Sequence, residues 1–358
     1  MKNNYHVIIA GGFGSRFWPK SRQRKPKQLL KIFNKNSMIR LTFNRIKSIS
    51  NPSNILIVAS RKICVLIMKE LPEVPSKNFI IEPSRKNTAP AIGLAAAHIL
   101  SRNKNAVMSV YPADHLITDT LKFNKIINKG INFVKSNPSI VTLGIKPSFP
   151  SSGYGYIQFC ENLSDENEIF KVKTFAEKPN IKTAQRFLNS GEFLWNSGIF
   201  IFKAQSILSE MKTHMPELHE SLLNIYKACN KNEYDVILKK EWDLIKPESI
   251  DYGIMEKVKD TVYTIKADFG WSDMGTWKSI YDLIPKDEKG MIAKGNTISI
   301  KSKNSLILSE EKLTAIIGLE DIAIINTNDA TLVMPINMAE HVKKVVDHLK
   351  MNGMDEFL

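Results

Sequence analysis

Hydrophobic residues in this chain come first as short continuous runs and then as helical stripes, in alternation. Val7-Ile8-Ile9-Ala10, Ile55-Leu56-Ile57-Val58-Ala59, Phe79-Ile80-Ile81, Val107-Met108-Ser109-Val110-Tyr111 and Ile140-Val141-Thr142-Leu143-Gly144 each have the length of a buried strand. Trp195-Asn196-Ser197-Gly198-Ile199-Phe200 is expected to begin a further one, with a turn signal at Asn196-Ser197-Gly198. Between them, residues 38–46, 62–71, 95–100 and 123–134 read as helices, and 204–246 as helical scaffold. This alternation predicts an α/β fold, a mostly parallel sheet with helices on both faces. In such sheets ligands collect beyond the carboxyl ends of the strands. From about Gly290 the pattern changes to short β-like runs at 297–300, 306–308, 315–317, 322–325 and 331–334. A stripe of Val342, Val345, Val346 and Leu349 then predicts a final helix, opened by a capping-box variant at Asn337 and Glu340. The expected division is a larger α/β domain over 1–288 and a small C-terminal β domain over 289–358.

Charge adds a second pattern. The chain of 358 residues carries a net charge of +14, and residues 1–50 hold twelve Lys and Arg with no acid before Glu70. The positive field is therefore local and suits attraction of a small anion. No helix-turn-helix, zinc-finger or RNP pattern accompanies it, so nucleic acid is not the expected partner. No run of about 18 apolar residues occurs, and the N-terminus lacks a long apolar core segment, so neither a membrane span nor a signal peptide is expected. The cytoplasm is the expected location. Cys64, Cys160 and Cys229 are scattered, as reduced thiols are.

The local field coincides with a glycine turn. After the first strand come Gly11, Gly12 and Gly14, then Arg16, Lys20, Arg22, Arg24, Lys25 and Lys27, stiffened by Pro19 and Pro26. Glycines let backbone amides approach a ligand closely, and such turns form anion-binding nests. The dinucleotide fingerprint fails because Phe17 stands at its third glycine, and the GxxxxGK[ST] loop is absent.

The full pattern Gly11-Gly12-Phe13-Gly14-Ser15-Arg16, Trp18-Pro19, Ser21-Arg22, Pro26-Lys27-Gln28 resembles the signature of sugar-1-phosphate nucleotidylyltransferases, in particular mannose-1-phosphate guanylyltransferases. Further blocks come in that family's order: Glu82-Pro83-Ser84-Arg85-Lys86-Asn87-Thr88-Ala89-Pro90, Pro112-Ala113-Asp114-His115, Gly153-Tyr154-Gly155-Tyr156-Ile157, Glu177-Lys178-Pro179, Asn196-Ser197-Gly198, Ser249-Ile250-Asp251 through Glu256-Lys257, and Asp273. Lys86 replaces the usual arginine, and Ser151-Ser152 replaces a Thr/Glu pair.

The resemblance implies a Rossmann-like, GT-A-like nucleotidyltransferase sheet followed by a fragment of left-handed β-helix. It implies that Gly11, Gly12, Gly14 and Ser15 wrap nucleotide phosphates, that Glu82, Asn87 and Thr88 lie against the base, and that Arg16, Lys27 and Lys178 are catalytic. Tyr154, Gly155, Glu177 and Asn196 would hold the sugar phosphate, and the acids of the 249–257 block would hold sugar or position Lys257. Asp114 and Asp273 would bind Mg2+. The implied substrates are GTP and mannose 1-phosphate, and a homodimer is expected. The rival readings are another sugar-1-phosphate nucleotidylyltransferase, a catalytically silent regulatory subunit that binds nucleotide sugar, and an RNA-binding protein using the basic N-terminus.

Overall fold

A computed structural model describes residues 3–164 and 168–358. The chain divides into two compact units. The first comprises the stretch ending at Gly11 with Thr42–Ala113 and Ile117–Trp271; the second comprises Gly12–Leu41, Asp114–Leu116 and Ser272–Leu358.

The first unit is built on a nine-stranded sheet. Its order is Phe79–Glu82, Ile55–Ser60, Asn4–Ile9, Val107–Pro112, Phe193–Lys203, Ile140–Ile145, Val262–Ala267, Ile169–Ala176 and Tyr156–Ser164. The first four strands are parallel, with Val7 opposite Leu56 on one side and Val110 on the other. This half is the α/β arrangement that the apolar runs predict. Beyond it the sheet is mixed, because Phe193–Lys203 runs antiparallel to both neighbours and Tyr156–Ser164 forms an antiparallel pair with Ile169–Ala176. Burial on both faces gives the same apolar run for either direction, so sequence pattern does not distinguish them.

The strand at 193–203 also starts earlier than the expected start at Trp195. Asn196-Ser197-Gly198 lies inside it as a bulge rather than a turn: Thr142 faces Phe200 while Gly144 faces Asn196, and Gly198 takes φ +69°. A bulge breaks the ladder locally and re-aims the side chains beside it.

Thr88–Leu100 is buried along almost its whole length, which its alanines permit. It shares a core cluster with the sheet residues Val7, Val58 and Val110 and with the helices Ala204–His214 and Pro216–Ala228. A Cβ on Gly93 would sit 2.3 Å from Leu222, so glycine sets how closely the helices approach.

The second unit packs the basic loop against a small sheet of Ile292–Ile300, Leu306–Ile317, Ile322–Asn326 and Thr331–Pro335. Its first three strands are parallel. Flat parallel sheets need crossovers of a dozen residues or more. The connections here are only a few residues long, and Ile300 pairs with Ile317 by the same step along the chain as Leu306 with Ala323, while Ile292 pairs with Leu306 by a slightly shorter one. The strands are therefore successive turns of a β-helix-like coil. The core holds Phe17, Trp18, Leu30, Trp277, Leu306, Ile325 and Leu349. Trp277 lies 5.0 Å from Phe17 between ring centroids and donates from Nε1 to the Trp18 carbonyl.

The expected capping box does not form. Ile336–His341 is a 3-10 turn, and the α-helix runs from Val342 to Met351 without a side-chain cap. Asn337 and Glu340 thus lie within the tighter turn, where the box geometry is not available.

Candidate functional site

In the second unit, the glycine turn and the Pro26-Lys27-Gln28 segment are held together by backbone. Lys27 N donates to the Phe13 carbonyl at 3.2 Å. Gly14 takes φ +68°, and a Cβ there would fall 2.3 Å from the Lys27 Cβ. Only glycine satisfies both the conformation and the approach. Ser15–Phe17 follows as a 3-10 turn capped at Gly14. Arg16 is half-exposed and ion-paired with Glu340 at 2.8 Å.

Lys27 is buried, and its Nζ lies 2.8 Å from Asp114 Oδ2 and 3.0 Å from the Asp273 carbonyl. Burial alone would push the Asp114 carboxyl up, but Lys27 and then His115 outweigh it and hold it below the usual carboxylate range. Asp273 Oδ1 accepts from Gly275 N. It is Thr276, not Asp273, that caps the following helix Trp277–Leu283. Gly14, Lys27, Asp114 and Asp273 are therefore linked in one cluster, although 246 residues separate Lys27 from Asp273.

The first unit holds two further groups. At the carboxyl end of the Phe79–Glu82 strand, Glu82 is buried and lies under Gly11, where a Cβ would meet Glu82 Oε2 at 3.5 Å. Burial raises the Glu82 carboxyl to about 7 against the pull of Arg85. Asn87 caps the Thr88–Leu100 helix by accepting from Thr88 N, with φ +72°. Thr88 Oγ1 accepts from Ile250 N at 2.9 Å, tying this helix start to the segment that carries Asp251.

The second group forms around Glu177. Gly155 admits the Glu177 carboxylate, since a Cβ on Gly155 would sit 2.5 Å from Oε2. Lys178 pairs with Glu177, and Glu177 N donates to Glu256 Oε1 at 2.9 Å. The bulge aims Asn196 at Asp251: its Nδ2 donates to Asp251 Oδ1 at 3.0 Å, and its Oδ1 accepts from Thr142 at 3.0 Å and from Gly198 N at 3.1 Å. Burial, then the Glu177 charge, raises the Asp251 carboxyl to about 7, against Lys178 and Asn196. For Lys178, burial favours the neutral form, but Glu177 and Asp251 outweigh it and raise its pKa. Tyr154 packs edge-on to Trp195 at 4.9 Å and Trp271 at 5.4 Å, an aromatic wall beside these polar groups.

The sequence blocks pointed to Glu177, Lys178, Asn196 and the acid at Asp251 separately. That Asp251 is the partner of Asn196 was not readable, because the bulge that aims Asn196 leaves no periodic signal. Arg22 was read as part of the basic run and of the family signature, with no role of its own. Its guanidinium pairs with Asp329 at 2.9 Å and donates to the Phe357 carbonyl, which anchors the loop.

A family model described as nucleotidyl transferase matches residues 5–290, and one described as MannoseP isomerase/GMP-like beta-helix domain matches 295–349. A mannose-1-phosphate guanylyltransferase of Escherichia coli is 38% identical over 98% of this chain and 76% of its own length. One of Klebsiella pneumoniae is 37% identical over 98% of this chain and 75% of its own. Among solved structures, one described as a mannose-1-phosphate geranyltransferase from Thermus thermophilus has a TM-score of 0.87 at 24% identity, covering 97% of this chain and 99% of that one, a likeness of fold.

Proposed function

The chain belongs to the nucleotidyl transferase family, and from that premise we propose that it makes GDP-mannose and pyrophosphate from GTP and mannose 1-phosphate. A phosphate oxygen of the sugar phosphate attacks the α-phosphorus of GTP in line. The new P–O bond forms as the bond to the β-phosphate oxygen breaks, and the electron pair leaves with pyrophosphate. No covalent nucleophile is needed, so catalysis rests on orientation and on neutralising charge.

The observation that carries this reading is the Lys27 cluster: a buried ammonium bound to Asp114 and Asp273 beside a glycine turn. A buried lysine next to close-approaching backbone suits the reacting phosphate of a triphosphate. Arg16, exposed enough to leave Glu340, supplies a second cation, and Gly11, Gly12, Gly14 and Ser15 supply backbone donors. Glu82, Asn87 and Thr88 serve the guanine side. Glu82 at the end of its strand can accept from the N1–H and N2–H2 edge that uracil and thymine lack. Lys178 holds the attacking phosphate, while Glu177, Asn196, Tyr154 and Gly155 hold the sugar.

Asp114 and Asp273 offer oxygen donors alone, the hard ligands that Mg2+ takes. Among the described residues no cluster of three or more His, Cys, Asp or Glu adds to them. Two protein carboxylates leave positions for phosphate oxygens and water, so the donor set fits an ion that arrives with a nucleotide. Bound there, the ion would neutralise triphosphate charge. No described helix is long and apolar enough to cross a membrane.

The test is pyrophosphate release across a matrix of nucleoside triphosphates and sugar 1-phosphates. GTP with mannose 1-phosphate is expected to give the highest kcat/KM. A higher value for another pair would move the reading within the class, and no turnover with any pair, despite nucleotide-sugar binding, would favour a silent subunit.

A further inference from the structure

A cavity of about 240 Å3 within the second unit has Lys20, Lys25, Lys31 and Lys294 in its walls and Trp277 among its lining; Glu310 is the acid it contains. Glu310 lies 3.3 Å from Lys20. Among the described residues, Lys25, Lys31 and Lys294 make no ion pair, and all three are exposed. None of these residues belongs to the Arg16, Lys27, Asp114 and Asp273 set. Gly295 lines the cavity. That residue takes φ +87° where a Cβ would meet the Ser309 carbonyl at 1.7 Å, and the strand register slips just after it.

Four ammonium groups around one small space repel one another, and one carboxylate offsets only part of that charge. Lysine ammoniums are compact point charges suited to phosphate oxygens. The volume is below the roughly 300–1,000 Å3 of sites that enclose whole drug-sized ligands. We infer that this cavity is a second anion site, one that takes a small condensed phosphate such as pyrophosphate. It reaches the candidate catalytic loop directly, because Leu30 lines the cavity and its N–H donates to the Lys27 carbonyl at 2.9 Å. An occupant therefore steadies the turn that carries Lys27. This inference does not depend on the guanylyl-transfer reading, since the cavity and its lysines are present whichever reaction the chain performs.

The test is calorimetric titration of the full chain with pyrophosphate. Lys27→Ala removes the contribution of the Lys27 cluster, and that variant is expected to retain one saturable pyrophosphate site. Adding Lys31→Glu and Lys294→Glu is expected to weaken this site at least about tenfold, and Lys31→Gln with Lys294→Gln to weaken it less. Reversing two exposed lysines of the first unit, Lys62 and Lys125, is the control and should leave it unchanged. No pyrophosphate site in Lys27→Ala, an unchanged affinity after the Lys31 and Lys294 reversals, or an equal loss in the control would each overturn the inference.

Discussion

Asp114 and Asp251 show how the same physical rules give opposite protonation behaviour. Asp114 is held below its usual range because a buried ammonium touches it; Asp251 is raised to about 7 because burial and the Glu177 charge act on it together. The raised group makes folding less favourable as pH climbs. Between the ordinary carboxylate range and about 7 the folded state keeps a proton that the unfolded chain has released, so stability declines over that window. Asp251→Asn is expected to flatten the stability–pH curve there, read as urea midpoints across pH. A curve with the same slope as the parent would remove Asp251 as its source. Lys27→Ala is expected to lower kcat by at least about a hundredfold, as loss of a charge-stabilising group does. It also strips Asp114 of its cation. The Asp114 contribution is present above the usual carboxylate range and lost as pH falls through the depressed folded value, so the variant should lose stability near neutral pH but little in strong acid. Activity close to the parent in a folded Lys27→Ala protein would exclude the proposed role.

At the scale of elements, the start of Thr88–Leu100 joins backbone strain to a cap. Asn87 adopts a positive φ and accepts from Thr88 N. Asn87→Ala loses the cap and keeps the unfavourable conformation, so it should destabilise by about 1–2 kcal/mol, whereas Asn87→Gly relieves the conformation and should be milder. Equal losses in chemical denaturation would show that the cap alone matters. The elements also show where sequence reading reached and where it stopped. The runs at Val7, Ile55, Phe79 and Val107 announced the parallel half of the sheet, because strands buried on both faces have few other ways to be written. The strand Phe193–Lys203 was expected, but its antiparallel direction was hidden, since an apolar run carries no sign of direction. The Gly198 bulge was hidden for a related reason: a glycine beside Asn and Ser reads as a turn until its partner strand is known.

For the whole molecule, charge is the most legible property, and the partnerships made at long sequence range are the least. The acid-free first fifty residues led to the expectation of an anion site, and the ordered blocks named Lys27, Asp114 and Asp273, which the fold joins although the chain separates them widely. Nothing local forecast that Arg16 pairs with Glu340 or that Arg22 pairs with Asp329, because each is one charge among many of its kind in the sequence. The concentrated field makes a further prediction. If it attracts the nucleotide, KM for GTP should rise steeply with ionic strength while the melting temperature changes little, since screening acts on exposed charge. A KM indifferent to salt would leave short-range contacts as the whole of recognition.

The same partnerships bear on how the protein is made. The basic loop leaves the ribosome long before Phe357 does, yet the indole of Trp18 and the guanidinium of Arg22 both donate to the carbonyl of that residue. Domains generally fold during synthesis from the N-terminal side. Here the Trp18 and Arg22 end of the loop must wait for its last acceptor until translation has passed Phe357. A nascent chain halted before that residue should still be open to proteases at Arg22 and Arg24.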